Sequence, residues 1–173
     1  MTAFDRATDR VLEPLRANRV SNRVFGLASH VGDFSVVWHA IGLVRAIGSL
    51  DRLQQAVALS VALGVESLVV NQGVKRIFRR ERPTVSGDDR FAVRTPSTSS
   101  FPSGHASSAT FAAMLLTSFT GFPIAFAWIA IASTVALSRV VVRIHHPSDI
   151  IGGIVTGAIL GSVAVPIVSA IVG

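Results

Sequence analysis

The sequence predicts an all-α, integral membrane helical bundle of about five transmembrane helices, six if the N-terminal helix counts, with an N-terminal amphipathic surface helix. Three observations predict it. Half of the 173 residues are hydrophobic and the mean hydropathy is +0.55. Long apolar runs dominate from about residue 34 onward, parted by short Gly- and Pro-bearing turns. Charged residues make up only 15% of the chain and gather in islands between those runs. The length suits a single domain, residues 1–173, with 1–23 as its amphipathic segment. Cysteine is absent, which excludes a disulfide framework and thiolate metal sites. The net charge of +6 in an apolar chain suits topology signals and anionic membrane lipids rather than nucleic acid.

Each element has a local reason. Residues 1–23 interleave Asp5, Arg6, Asp9, Arg10, Glu13, Arg16 and Arg19 with Val11, Leu12 and Leu15. They read as a helix on the membrane surface, apolar side down and arginines toward headgroups. A signal peptide's unbroken apolar core and cleavage site are lacking. Pro14 is expected to end or kink this helix. The first span is expected over Phe34–Ser49, carrying His39 and Arg45; a start near Val24 would bury His30 and Asp33. Gly48–Arg52 form a turn. The second span, Leu53–Val74, contains Glu66. A carboxyl inside a span is either functional or a protonated hydrogen-bonding group between helices, and both readings stay open. Lys75–Ser103 is a long polar loop. The third span opens at Pro102-Ser-Gly-His105 and runs to Thr120, and the fourth covers Ile124–Val142. Pro147 suits the first turn of the fifth, which continues to Gly173. There Gly153, Gly157 and Gly161 recur every four residues, a close-packing pattern that also offers a face for a homo-oligomer.

Three polar islands stand out: Lys75–Pro83, Pro102–His105 and Ser138–Asp149. A loop joins the first two, and the chain crosses out and back before the third, so all three meet at one membrane face. Lys75 is the only lysine among 16 basic residues, which by itself is either a retained cation or compositional drift. With Arg82 it can flank an anion. Ser103 and Gly104 open a helix whose free N–H groups suit a phosphate. His105, just inside, can protonate a leaving oxygen. Arg139 is a fixed cation. His145 can attack phosphorus while Asp149, four residues on, orients its ring. Alone, one His-x-x-x-Asp would read as a polar turn; the other two islands favour chemistry. Asp88 and Asp89 read as a solvated turn, and no carboxylate cluster suits a metal.

Together, Lys75-x6-Arg82-Pro83, Pro102-Ser103-Gly104-His105 and Ser138-Arg139-x5-His145-x3-Asp149 resemble the three signature motifs of the type-2 phosphatidic acid phosphatase superfamily. That superfamily of membrane lipid phosphatases also includes soluble vanadium haloperoxidases and acid phosphatases. The resemblance implies hydrolysis of a lipid phosphate through a phosphohistidine, with no metal or other cofactor. It makes His145 the nucleophile, His105 the acid/base and Asp149 the partner of His145. Lys75, Arg82, Ser103, Gly104 and Arg139 would bind phosphate, and Asp33 and Glu66 are candidates for the headgroup pocket. Bacterial membrane members are described with six spans and an outer-face site, whereas five spans are read here. Fourteen basic residues fall on the site face against Arg45 and Arg52 on the other. The positive-inside rule therefore expects a multi-pass protein of the cell (inner) membrane with its site facing the cytoplasm.

Overall fold

The computed structural model of the protein describes residues 2–84, 90, 91 and 97–172, and every regular element among them is helical. Asp88, Asp89 and Arg94 lie outside the described residues. The order is α1 (Ala3–Ala17), α2 (Arg19–Val31), a 3₁₀ turn at Asp33–Ser35, α3 (Val36–Ala46), α4 (Leu50–Leu68), a wide π turn at Val69–Val74, α5 (Lys75–Ile77), α6 (Gly104–Thr120), α7 (Ala125–Val141) and α8 (Pro147–Val172).

Helix α6 is the axis of the bundle, touching α4, α7 and α8. It can do so because the residues it buries are mostly small: Ala106, Ser107, Ser108, Ala109, Ala112 and Ala113. The glycines of α8 meet that surface. A methyl on Gly153 would come within 2.5 Å of the Ser103 carbonyl, and one on Gly157 within 2.3 Å of the Ser107 carbonyl. The glycine face expected to serve a homo-oligomer is therefore occupied by α6 of the same chain. Trp38, Leu59, Leu63, Leu115 and Leu116 fill the core beside it.

Among the described residues, two helices are long and apolar enough to cross a membrane, Leu50–Ile77 with 28 residues and Pro147–Val172 with 26. A third candidate is the pair Arg19–Val31 and Asp33–Ala46, bent by 69°. Helices α6 and α7 have 17 residues each, or about 26 Å at 1.5 Å per residue, a little short of the hydrocarbon thickness. Counting apolar runs alone conceals these differences in length.

The N-terminal part departs from expectation. Residues 1–23 are not one helix: α1 passes through Pro14 and stops at Asn18, whose extended backbone and side chain cap α2 by accepting from Val20 N at 2.8 Å and Ser21 N at 3.2 Å. Nor do all the arginines face outward. Arg16 is fully buried and donates to the carbonyls of Val140 and Val141 at 3.1 and 3.0 Å, satisfying the C-terminus of α7. Phe4, Val11 and Leu15 remain an exposed apolar stripe. Helix already runs from Arg19, ahead of Phe34, but it breaks at Asp33–Ser35, where Phe34 and Ser35 take φ of 53° and 61°; His30 is exposed and Asp33 half-buried rather than buried.

Two glycines of similar helical setting should respond oppositely. Gly157→Ala would push against Ser107 backbone and should lower stability by about 1–3 kcal/mol. Gly26, with nothing within 4 Å of its added methyl, should gain roughly 0.5–1 kcal/mol as alanine. Thermal unfolding of the two variants in detergent checks both signs.

Candidate active site

The third polar island folds into a tight return. After α7 ends, the N–H groups of Ile144 and His145 both donate to the carbonyl of Arg139, at 3.1 and 3.0 Å, with Arg143 at φ 59° turning the corner. Pro147 then opens α8 and places Asp149 in its first turn, where the carboxylate accepts from His146 N at 2.8 Å. Ser103 N donates to the Asp149 carbonyl at 3.0 Å, which fastens the start of α6 to the start of α8.

Around this frame the side chains converge. His145 Nδ1 lies 3.5 Å from Asp149 Oδ2, and Ser100 Oγ donates to the same carboxylate oxygen. A carboxylate beside Nδ1 favours the proton on that nitrogen, leaving the Nε2 lone pair on the other side of the ring. Nε2 is 3.2 Å from Arg82 Nη1, which also donates to the carbonyl of Ile144 at 3.1 Å. His145 is almost fully buried. Burial lowers its proton affinity well below the ordinary imidazole value, with Arg82 and Arg139 acting in the same direction and Asp149 opposing them. Burial and the neighbouring cations thus favour the neutral ring.

Arg139 is equally buried. Its Nη1 donates to Ser29 Oγ, but Nε and Nη2 have no partner among the described residues. Unsatisfied guanidinium N–H groups inside a protein are costly and fit a site awaiting an anion. The π turn before Lys75 adds a residue to the helical ring and shifts the side chains that follow it around the axis. Lys75, directly after it, is buried, its Nζ only 3.4 Å from the space a Gly104 side chain would fill.

A cleft of about 530 Å³ is lined by Asp33, Glu66, Lys75, Gly104 and His105. His105 Nε2 is 3.1 Å from Asp33 Oδ1 and 3.2 Å from the Ser29 carbonyl. Glu66 accepts a hydrogen bond from Ser107 Oγ, an interhelical contact from α6 to α4. A second cleft of about 750 Å³ is lined by Lys75, Arg80 and Arg82. The ten residues singled out in the sequence thus fall into two adjoining groups. His145, Asp149 and Arg82 form one; Asp33, Glu66, Gly104 and His105 form the other. Lys75 lines both clefts, while Arg139 and Ser103 reach the first group through backbone hydrogen bonds.

Sequence reasoning missed Asp5, Ser29, Arg80 and Ser100. Arg80 bridges two carboxylates, donating to Asp149 Oδ1 at 2.6 Å and to Asp5 Oδ2 at 2.7 Å. Asp5 is fully buried and accepts from Ser148 N at 3.1 Å and Ser148 Oγ at 2.7 Å. Burial alone would raise the Asp5 carboxyl, but hydrogen bonds from Ser148 and Thr2 outweigh it and hold the group well below the usual carboxylate range. The one local signal was Thr2 with Asp5 three residues on, a helix-start pattern completed here in both directions.

The family model of the PAP2 superfamily matches residues 55–172. A decaprenylphosphoryl-5-phosphoribose phosphatase of Mycobacterium tuberculosis is 34% identical over 135 residues, covering 78% of this chain and 73% of that protein. The protein of the same name in Mycolicibacterium smegmatis is 39% identical over 127 residues, 72% of this chain and 67% of that protein. Among solved structures, the transmembrane PAP2 type phosphatidylglycerolphosphate phosphatase of Bacillus subtilis has the same fold: TM-score 0.67 at 22% identity, over 99% of this chain and 89% of that one. Asp5, Ser29 and Asp33 precede the residues that the family model matches.

Removing the Asp5 charge should be felt in both stability and turnover. Asp5→Asn should cost about 1–3 kcal/mol at pH 7 by leaving buried donors poorly satisfied. Because folding lowers the carboxyl's proton affinity, the Asp5 contribution is complete above its unfolded value of about 3.9 and fades as pH falls below it. Unfolding curves of wild type and variant should therefore converge on acidification below about pH 4.

Proposed function

This chain belongs to the PAP2 superfamily and is a membrane-type phosphatase, and from that premise we propose that it hydrolyses a phosphomonoester of a lipid-linked substrate through a phosphohistidine formed at His145. The observation that carries the reading is the setting of His145: Asp149 at one ring nitrogen, the other nitrogen facing Arg82, and Arg139 alongside with two nitrogens that have no partner among the described residues.

In this mechanism the Nε2 lone pair attacks phosphorus as the bond to the lipid oxygen breaks. His105 gives its proton to that leaving oxygen. A water then loses a proton to His105 and attacks the phosphohistidine, breaking the N–P bond and freeing phosphate. Lys75, Arg82 and Arg139, with the Ser103–Gly104 end of α6, balance charge on the non-bridging oxygens in both steps. Asp149 keeps the His145 ring oriented and stabilises its positive charge. Among the described residues no three His, Asp or Glu side chains gather as a cation site, and charge stabilisation in this scheme falls to the side-chain cations.

The substrate we favour is decaprenylphosphoryl-5-phosphoribose, a precursor of cell-wall arabinan. The names of the two mycobacterial relatives support it. So does the cleft wall, where His39, Ser60, Ser67, Asn71 and Gln72 offer hydroxyl, amide and imidazole groups to a polyol headgroup. Polyprenyl diphosphate, phosphatidylglycerophosphate and phosphatidate are the competing substrates. For topology we favour five membrane segments, the bent α2–α3 pair, α4 with α5, α6, α7 and α8, in the inner membrane. Setting aside Lys75, Arg82 and Arg139 from the fourteen site-face basic residues leaves 11 against 2, which supports a cytoplasmic site.

Purified protein should release phosphate from decaprenylphosphoryl-5-phosphoribose in chelator, faster than from the competing lipids. His145→Ala should lose about three orders of magnitude or more. A strict need for added metal, or full activity in the variant, would sink the mechanism. In the cysteine-free background, Asp51→Cys should react with an impermeant maleimide in intact cells and Glu81→Cys should not; the reverse pattern would place the site outside.

A further inference from the structure

We propose that the break between α2 and α3 is a positioning device for His105, in which Asp33 and the Ser29 carbonyl hold the imidazole with Nε2 protonated and Nδ1 as the nitrogen that exchanges a proton with substrate. This rests on the acid/base role given to His105 above, and it adds a residue outside the three motifs.

Hydrogen-bond chemistry fixes the tautomer of the His105 ring. Two oxygens face one nitrogen: Asp33 Oδ1 at 3.1 Å and Ser29 O at 3.2 Å from His105 Nε2. A carboxylate and a carbonyl only accept, so Nε2 is the donor. A neutral imidazole has one N–H, hence Nδ1 carries the lone pair that takes a proton from water. In the imidazolium, Nδ1–H is the proton left to give to a leaving oxygen. Nδ1 makes no hydrogen bond among the described residues, and His105 lines the cleft shared with Lys75 and Gly104.

The backbone is shaped to the same end. Gly32 lies flat against the ring: a methyl there would come within 2.7 Å of His105 Cδ2 and 2.9 Å of Val135. Directly after Asp33, Phe34 and Ser35 adopt φ of 53° and 61°, the left-handed region that non-glycine residues seldom take. Ser29 and Asp33, four residues apart, share the face of α2 turned to the ring, and because α2 ends at the break its last carbonyls lack intrahelical partners, which leaves Ser29 O to His105. Unwound backbone within an apolar bundle is tolerated where it lines a cavity, and this break lines the polar cleft.

The charges around His105 set the direction of the test. Asp33 from the break is paired with the ring, Arg139 from α7 is bonded to Ser29, and Lys75 from α5 lines the same cleft. Glu66 from α4 lines the same cleft but is engaged by Ser107, and His30 of α2 lies near Asp33. At the start of α8, Asp149 is committed to His145, Ser100 and Arg80. Asp33 is thus the one carboxylate hydrogen-bonded to the ring among the described residues.

The test is the pH profile of kcat for wild type, Asp33→Asn, His105→Ala and the double variant, on a lipid phosphate and on an aryl phosphate whose leaving group needs no proton. Asp33→Asn should lower kcat on the lipid about 10- to 100-fold. Its alkaline limb should move to lower pH by about one unit, because the acid form has lost its carboxylate. The loss should be much smaller on the aryl phosphate and should vanish in the His105→Ala background. If Asp33→Asn fails to fold, Asp33→Glu substitutes: the limb should stay while kcat falls, and a limb moved to lower pH would overturn the proposal. An unmoved limb in Asp33→Asn with equal losses on both substrates would overturn this inference alone. Wild-type turnover in His105→Ala would overturn the acid/base role and the inference with it.

Discussion

A carboxylate taken out of water must be surrounded by donors, and the site is arranged around meeting that requirement for Asp149. Its side chain receives His146 N, Ser100 Oγ and Arg80, with the His145 ring alongside. Its carbonyl receives Ser103 N. The donors come from the turn before α8, the loop before α6 and the segment after α5. Satisfying one buried charge therefore assembles three stretches distant in sequence, and leaving any one out would strand an ion in a low dielectric.

The same economy governs the irregular backbone. The bundle departs from α-helix at the wide turn before Lys75 and at the break around Asp33, and residues of both departures line one polar cleft. Elsewhere regular helices press together through small residues, as where Gly157 meets Ser107. Regular backbone satisfies its own hydrogen bonds in an apolar setting. Irregular backbone is confined to where polar groups must be turned inward.

This division explains what could be read from the chain. Lys75, Arg82, Ser103–His105, Arg139, His145 and Asp149 could be grouped from the chain because the roles proposed for them depend on short spacings at helix ends, and the fold brings them into adjoining groups. The glycines of α8 announced close packing but not its partner, since α6 supplies that only in three dimensions. Arg80 was hidden by Arg79, its equal in every local respect; burial and two distant carboxylates distinguish it. Asp5 and Ser29 act on residues more than a hundred positions away. Arg16 looked like a headgroup contact because amphipathic periodicity cannot tell membrane from the end of a neighbouring helix. The helix break was the least legible, for neither Phe34 nor Ser35 is a residue that favours left-handed backbone.

Arg80, held between Asp5 and Asp149, also bears on how this protein can diverge. Groups sharing one partner do not contribute independently. With Asp5 neutralised, the Arg80 guanidinium is left to one carboxylate; with Arg80 removed, two buried carboxylates lose their common counter-ion. Drift at position 5 is thereby tied to drift at position 80, and the tolerated path is a paired exchange. Through Arg80 the N-terminal helix shares the evolutionary tempo of the turn that holds Asp149.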